Sequence, residues 1–379
     1  MVTAGRARVT PKPGAISHGS ILMSSASPSG AKSSYGNFFE DFHIGAVIRH
    51  ATPRTVTLGD VAVYQACYGN RFTVQSSDAF ARAVGYPGQP IDDLLVFHVV
   101  FGKTVPDLSL NAIANLGYAD VRFLRPVFAG DTLSATTEII GLRENSNRES
   151  GVVYVRSTGH NQMGEAVLTF VRWVMVRKRD KQAIAPAPSV PDLPTRVAPA
   201  ELGGAVPPLR LDGYDRMLAG SRFAWADYAE GERIDHIDGM TIEEAEHQLA
   251  TRLYQNTAKV HFNQHSEGQG RFGRRLVYGG VIISLARALS HNGLANAFHI
   301  AAINGGRHAA PAFAGDTVYA WTEVLERAEI PGRSDIGALR LRTVATKNVA
   351  CTAFPGPSEP ATSTEGVILD LDYWVALPR

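Results

Sequence analysis

The second part of the chain repeats the first, and this repeat constrains the fold more than any single motif. The segment "FFEDFHIGAVIRH" (38–50) matches "AWADYAEGERIDH" (224–236) in an Asp, a Gly, an Ile and a His, and Asp41 to Asp227 sets the offset at 186 residues. The same offset aligns Tyr68 with Tyr254. After a one-residue deletion, "RFLRPVFAGDT" (122–132) matches "RHAAPAFAGDT" (307–317). Self-similarity over this length indicates two copies of one folding unit.

The two copies predict two domains, since about 150 residues is the usual size of one hydrophobic core. The segment between them is rich in Pro and indicates an extended linker. The first residues are rich in Ser, Gly, Ala and Pro, which favours a flexible tail. We therefore expect a tail at 1–35, a domain at 36–180, a linker at 181–210 and a second domain at 211–379. The domains should pack as a pseudo-twofold pair, like a homodimer fused into one chain.

The composition is that of a globular protein and excludes several classes of function. Of 379 residues, 45% are apolar and 19% are charged, and the formal net charge is +1. No basic stripe is interleaved with aromatic residues, so no nucleic acid partner is expected. No run reaches the roughly 20 apolar residues needed to cross a bilayer, so no membrane partner is expected.

The cysteines and the motif content bear on location and cofactors. Cys67 and Cys351 are too few for a disulfide framework or a zinc cluster, which favours a reducing cytoplasm. The sequence has neither a Cys/His ligand cluster nor a Gly-rich phosphate loop. We therefore expect no metal and no redox cofactor.

Hydrophobic periodicity predicts a helix followed by a sheet in each copy. The segment "TIEEAEHQLATRLYQ" (241–255) has apolar residues at helical spacing, with Thr241 as the expected N-cap and Glu244 three residues later. A second helix is predicted over "GGVIISLARALSHNG" (279–293). The segments "TLSATTEIIGL", "GVVYVRSTGH" and "AVLTFVRWVMVRK" alternate and predict neighbouring antiparallel strands. The fold class is therefore α+β, with a helix available to lie against the sheet.

The order of motifs resembles the MaoC-type, R-specific enoyl-CoA hydratases. A Tyr-x-Asn…His segment, then "LVYGG" opening a helix, then Arg…Pro…Gly-Asp-Thr leading into strands, is the order in question. Longer blocks, including "FHVVFGKTVPDLSLNAIANLGYADVRF" and "NGLANAFHIAAINGGRH", are similar to the mesaconyl-CoA hydratase branch of that family. The resemblance implies a double hot-dog fold, in which each antiparallel sheet wraps a long central helix. It also implies an acyl-CoA substrate and the interconversion of 3-methylmalyl-CoA with mesaconyl-C1-CoA.

The resemblance also implies a catalytic pair, an Asp and a His five residues apart. The second copy has Asn256 and His261 at these positions, and the first copy has Asn70 and Gln75. We therefore expect catalysis in the second copy, with His261 as the acid–base group because imidazole titrates near neutral pH. An amide is no base, so Asn256 is expected to position the hydroxyl group through hydrogen bonds.

Two further sets of residues are candidates for the site. Gly279 and Gly280 open the second long helix, where free N–H groups favour a developing oxyanion. A free substrate carboxylate needs a positive partner. The candidates for substrate binding are Arg271, Arg274, Arg275 and Tyr278.

The sequence leaves the second proton-transfer group and the class of activity open. Glu246, Asp78 and Asp93 are the candidates for that group. The alternative functions are a hot-dog acyl-CoA thioesterase, which Asn256 in place of a carboxylate disfavours, and a non-catalytic acyl-CoA-binding protein. A homo-oligomer of the fused pair is compatible with the pattern.

Overall fold

A computed structural model of the chain describes residues 32–351 and 366–379. The predicted flexible tail thus lies outside the described residues except for its last four positions. The strands are β1 (Val47–Thr55), β2 (Ala112–Phe123), β3 (Thr132–Glu144), β4 (Ser150–His160), β5 (Ala166–Arg177), β6 (Arg233–Thr241), β7 (His299–His308), β8 (Thr317–Glu329), β9 (Ile336–Lys347) and β10 (Val367–Pro378). The helices are α1 (Leu58–Tyr68), α2 (Thr73–Ser76), α3 (Asp78–Ala83), α4 (Asp93–Leu108), α5 (Glu244–Leu253), α6 (Lys259–Phe262), α7 (Gln264–Glu267), α8 (Gly279–Leu289) and α9 (His291–Leu294).

The described strands form one antiparallel sheet in which the internal repeat is visible. Its order is β1-β3-β4-β5-β2-β7-β10-β9-β8-β6, so each half runs through its strands in the same order toward the middle. We call residues on β1–β5 and α1–α4 the N-half and residues on β6–β10 and α5–α9 the C-half. The halves meet where β2 pairs with β7, with Tyr118 opposite Gly306. The domain boundaries given above stay a prediction.

A long helix lies inside each half, as the α+β prediction requires. Helix α4 is buried on nearly every side and packs against β1, β3, β4 and β5. An apolar surface all around a helix is typical of a central position, because no face is left for solvent. Helix α8 packs against β6, β8 and β9 in the same way. The predicted neighbouring strands are β3, β4 and β5, and their antiparallel pairing is confirmed.

Three details differ from the sequence prediction. Thr241 is not an N-cap: it is the last residue of β6, and its hydroxyl is hydrogen-bonded to that of Thr317 across the sheet. Helix α5 begins at Glu244 after Glu243, without a side-chain cap. A strand, β1 or β6, precedes the helices of each half, so the order "helix, then sheet" was incomplete. The predicted second helix ends at Leu289, and a short non-helical kink at Asn292 and Gly293 follows.

The repeated histidine has a structural role in both halves. His50 bridges the Asp107 carboxylate at the end of α4 and the Thr137 hydroxyl on β3, each at 2.7 Å. His236 bridges the Asn292 carbonyl and the Thr322 hydroxyl in the C-half. Both ring nitrogens form hydrogen bonds in each case. These imidazoles therefore connect β1 and β6, the first strands of the two halves, to the core.

Equivalent residues of the two copies meet at the centre of the molecule. The Tyr254 hydroxyl donates to the Tyr68 hydroxyl at 2.8 Å, and these residues correspond at the offset of 186. Such contacts between equivalent positions are expected about a twofold axis. The backbones also approach closely: a Cβ on Gly102 of α4 would overlap the carbonyl oxygen of Tyr254. Gly102 therefore sets how closely the N-half approaches the segment after α5.

The residues between the halves carry little regular structure. Ser189 forms one isolated bridge with Leu142, and Pro199–Glu201 forms a single 3₁₀ turn. Val197 is nevertheless buried, and its carbonyl accepts a hydrogen bond from the Trp374 indole at 3.1 Å. In the part of the chain that the structure describes, no helix has the length and apolar character needed to cross a membrane.

The close approach at Gly102 leads to a stability prediction. Gly102→Ala should lower the free energy of unfolding by about 1–3 kcal/mol, because the methyl group would displace backbone that cannot rotate away. Urea denaturation of the variant and the parent measures this difference. Gly59→Ala is the matched control, because Gly59 is also helical but exposed, so its added methyl should be neutral or slightly stabilising. Equal stability of Gly102→Ala and the parent would contradict the tight contact.

Candidate active site

Asn256 is held in a short buried segment between α5 and α6. Its side-chain oxygen accepts a hydrogen bond from the backbone N–H of Ala258 at 3.2 Å. Its backbone N–H donates to the Thr251 carbonyl at 3.1 Å. The side chain is almost wholly buried. Its oxygen is thus engaged by backbone, and its NH₂ group donates to no acceptor among the described residues. Asn256 is therefore suited to donating a hydrogen bond rather than accepting one.

His261 lies on α6 with one ring nitrogen fixed and the other open. Nδ1 lies 2.8 Å from the Leu276 carbonyl oxygen. A carbonyl only accepts, so Nδ1 carries the proton and Nε2 has the lone pair. Burial lowers the pKa of His261 to about 4, so the ring is neutral near pH 7. His261 is therefore placed to act as a base through Nε2.

The N-terminus of α8 lies beside this histidine. Tyr278 is its N-cap residue, without a side-chain cap, and the Tyr278 ring centroid is 5.5 Å from that of His261. Gly279 and Gly280 follow as the first helical residues, and their N–H groups have no intrahelical acceptor. Both glycines thus lie at the N-terminus of α8, and their role as oxyanion donors stays a prediction.

Two histidines that sequence reasoning missed also contact this helix end. A Cβ on Gly279 would overlap the His308 ring, and one on Gly280 would lie 2.5 Å from Cε1 of His98. His98 is also 3.1 Å from the Ser284 hydroxyl through Nε2, and burial lowers its pKa to about 3. The Nε2 of His308 is buried and has no hydrogen-bond partner in the described part of the chain. The repeat contained the signal for His308, because its counterpart in the first copy is Phe123.

The His308 ring is coupled to His261. Burial, and then the neighbouring His261, lower the pKa of His308 to about 4. Two imidazoles that repel each other in this way resist holding two protons at once. The His308 ring also packs edge-on against Tyr118 of β2, so the N-half forms one wall of the site.

The predicted arginines lie at the edge of the site. Arg275 forms an ion pair with Glu244 and donates to the Phe262 carbonyl. Arg274 and Arg271 are exposed. The Arg274 guanidinium lies 4.1 Å from the centroid of the Phe313 ring, and the Arg271 guanidinium lies 5.2 Å from that of Phe272. Their role in binding a substrate carboxylate stays a prediction.

The candidates for the second proton-transfer group have partners elsewhere. Asp78 pairs with Arg82 on the surface. Asp93 pairs with His299 at 2.9 Å, in a small pocket that also contains Gln75. Glu246 is exposed on α5. The described contacts bring none of the three carboxylates to His261.

A cavity of about 390 Å³ opens between the halves next to the Asn256 segment. We call it the entry pocket. The N-half contributes Thr52, Gly102 and Lys103, and the C-half contributes Arg252, Gln255 and Phe262. Lys103 and Arg252 make this entrance cationic.

Comparison with known proteins identifies the class first. A solved structure of a MaoC domain dehydratase from Chloroflexus aurantiacus superimposes with a TM-score of 0.89 at 60% identity, covering 92% of this chain and 99% of that one. The fold is that of the MaoC-like double hot-dog proteins, as the sequence predicted.

The sequence comparisons identify the family within that class. A family model described as mesaconyl-CoA hydratase matches residues 25–196. A β-methylmalyl-CoA dehydratase from Chloroflexus aurantiacus is 61% identical over 92% of this chain and 99% of its own length. A mesaconyl-CoA hydratase from Cereibacter sphaeroides is 58% identical over 92% of this chain and 100% of its own. The chain belongs to the mesaconyl-CoA hydratase family.

The buried neutral histidines make stability depend on pH. The pKa values of His98 and His236 are lowered by burial to about 3 and about 4, below the roughly 6.5 of an unfolded chain. The unfolded chain therefore takes up protons first as the pH falls, and stability is lost from pH 6.5 downward. Each residue should contribute a loss of about 2 kcal/mol between pH 7 and pH 5.

Urea unfolding at the two pH values, in the parent and in His98→Gln, measures the share of His98. The glutamine keeps a hydrogen-bonding group near Ser284 but does not titrate. The variant should therefore lose about 2 kcal/mol less than the parent on acidification. An identical loss in both proteins would show that His98 does not exclude a proton in the folded state.

Proposed function

We propose that the protein catalyses the reversible hydration of mesaconyl-C1-CoA to 3-methylmalyl-CoA. The observation that carries the proposal is the placement of neutral His261, with an open Nε2, beside the free N–H groups of Gly279 and Gly280. The names of the relatives at 61% and 58% identity support the same reaction. We place the reaction in the cytoplasm, with an acyl-CoA thioester as the partner.

The reaction requires a base, an acid and an oxyanion site. In hydration, the oxygen of water bonds to C3 while its proton passes to a base. The electrons of the C2=C3 bond move toward the thioester oxygen, which becomes an enolate. A proton then bonds to C2 and the thioester carbonyl re-forms. Dehydration runs through the same steps in reverse.

His261 is the base toward water in this scheme. Its Nε2 lone pair accepts the proton as the oxygen attacks C3, and the Leu276 carbonyl steadies the imidazolium through Nδ1. Asn256 donates its NH₂ group to the attacking oxygen and so fixes its direction. The N–H groups of Gly279 and Gly280 bind the enolate oxygen, where the helix dipole also favours negative charge.

His308 is the proton donor to C2. C2 is bonded directly to the thioester carbonyl carbon, so a group beside the oxyanion donors is also beside C2. His308 contacts Gly279 and has a free Nε2. The active form carries one proton on the pair: His308 delivers it to C2 while His261 takes one from water. The proton then returns from His261 to His308 through solvent.

The entry pocket supports the binding of a CoA thioester. It connects the surface to the Asn256 segment and has residues from both halves. Lys103 and Arg252 supply positive charge toward which the CoA phosphates can be oriented. The N-half thus forms part of the channel while the C-half supplies the acid–base groups.

The direct test follows mesaconyl-C1-CoA in the presence of the purified protein. The enoyl-thioester absorbance should fall without release of free thiol, because water adds to the double bond and the thioester remains. Thiol release would indicate a thioesterase, and no change in either signal would indicate a binding protein. Both outcomes would overturn the proposal.

Substitution of the two proton carriers tests the mechanism. His261→Gln and His308→Phe should each lower kcat by roughly 100-fold or more, the usual contribution of general acid–base catalysis. Phenylalanine is the residue that the first copy has at the position of His308, so its size suits the fold. His265→Gln is the control, because His265 is an exposed histidine in the same segment. Near-parental kcat in either variant would exclude the role of that histidine.

A further inference from the structure

Arg172 on β5 is a buried cation without a counter-ion. Its side chain is fully buried, and the Thr104 hydroxyl, at 2.8 Å from Nη2, is its only hydrogen-bond partner among the described residues. Its Nε has none. No described carboxylate lies within ion-pair distance of it. The guanidinium instead rests 4.2 Å from the centroid of the Phe101 ring.

Other buried cations of the chain have ways to reduce this cost. Lys178 pairs with Glu144 at 2.7 Å. The carboxylates of Asp92 and Asp93 stabilise the charge of Arg287 by electrostatic attraction. Lys103 donates to the Thr52 carbonyl, and burial lowers its pKa to about 8, so it can release its proton above that pH. Arg172 cannot escape in this way, since guanidinium stays protonated even where burial lowers its pKa to about 10. An unpaired buried charge costs several kcal/mol, which a structural role alone does not return.

Aromatic residues connect Arg172 to the site. The Arg172 guanidinium packs on the ring of Phe101. The centroid of that ring lies 5.6 Å from the Tyr278 centroid and 6.1 Å from the Tyr118 centroid. Tyr278 is the N-cap of α8, and Tyr118 packs on His308. The phenol groups of Tyr118 and Tyr278 also interact electrostatically with Arg172. The cation is therefore near the helix end at which a thioester would bind.

We propose that Arg172 binds the free carboxylate of the acyl group and so selects monothioesters of short dicarboxylic acids. The inference rests on the proposed hydration and adds the residue that recognises the acyl carboxylate. A carboxylate three bonds from the thioester carbonyl supplies the anion that the buried guanidinium lacks. The guanidinium fork can bind both carboxylate oxygens, a geometry that lysine does not offer.

The charge of the substrate carboxylate affects the protonation of the two histidines. Without substrate, burial disfavours a proton on either imidazole, because it lowers the pKa of His261 and of His308 to about 4. A bound carboxylate offsets the arginine and favours one imidazolium. The enzyme therefore reaches its singly protonated form when the correct substrate is bound. A neutral enoyl-CoA of the same length brings no such charge.

The repeat supports a role confined to one half. "RWVMVRK" and "YWVALPR" close the two copies, so Tyr373 is the counterpart of Arg172. Tyr373 is buried and its hydroxyl meets that of Thr343 at 3.0 Å. At this position of the last strand the N-half has a cation and the C-half a tyrosine, and a buried cation of the C-half, Arg287, lies on α8 instead.

The test compares two substrates in Arg172→Met. They are mesaconyl-C1-CoA and tiglyl-CoA, in which a methyl group replaces the free carboxylate. The parent should prefer the first by about 100-fold or more in kcat/KM. The variant should lose that preference, with kcat/KM falling for mesaconyl-C1-CoA and unchanged or higher for tiglyl-CoA. A structural arginine would lower both values together, which would overturn the proposal.

Thermal unfolding of the ligand-free proteins is the second measurement. Arg172→Met should raise Tm, because it removes an unpaired buried charge and keeps the apolar volume. A fall in Tm would indicate a structural arginine and count against the proposal. Arg172→Lys keeps the charge but not the fork, so it should retain part of the preference. It tests the clamp even if the methionine variant does not fold.

Arg222→Met is the matched control. Arg222 also lies over a phenyl ring, 5.0 Å from the centroid of Phe223, but is exposed on the surface. The same substitution there should leave the substrate preference unchanged. Failure of the parent to hydrate mesaconyl-C1-CoA would refute the proposed function. A parent that hydrates it, beside an Arg172→Met variant with an unchanged preference, would refute only the assignment of Arg172.

Discussion

The pairing of β2 with β7 is the contact on which the candidate site depends. It joins the two halves through main-chain hydrogen bonds and sets Tyr118 opposite Gly306. His308 ends β7, so this register places its ring against Tyr118 of the other half. Strand β5 lies directly beside β2, which puts Arg172 opposite Tyr118. A shift of one residue would turn these side chains to the other face of the sheet.

The polar residues of the interior fall into two groups. His50 and His236 use both ring nitrogens and recur at the same place in each copy, as expected of groups that stabilise the fold. Arg172 and His308 occur in one copy only and keep unused donors or acceptors. Buried polar groups normally find partners, because the cost of leaving them unpaired is high. Unpaired buried groups occur throughout the described interior, and His308 is the one that contacts the start of α8 through Gly279.

Much of the fold could be predicted from the sequence, because the repeat fixes the architecture and periodicity locates the main strands and helices. Local rules failed at Thr241, since its pairing with Thr317 on β8 extends a strand through a residue that resembles a cap. Tertiary pairing of this kind has no signature in a window of neighbouring residues.

The candidate site could be predicted only in part. His261, Asn256 and the two glycines lie on one stretch of chain, so a motif identifies them together. Arg172 lies within an apolar strand and His98 within an apolar helix, and only tertiary pairing sets Arg172 opposite Tyr118 and His98 against Gly280. The sequence shows the arginines at 271–275 as a group but not their surroundings, in which Arg271 and Arg274 are exposed and Arg275 pairs with Glu244.

The difference between Arg172 and Tyr373 bears on how many active sites one chain can form. In a dimer of identical subunits, symmetry would give each of the two equivalent positions the same side chains. Covalent fusion allows the two positions to differ, and in the proposed site Arg172, His261 and His308 form one set that the other position lacks. The proposed site therefore occurs once in each chain. The equivalent position, around Gln75 and Phe123, instead contains the ion pair of Asp93 and His299.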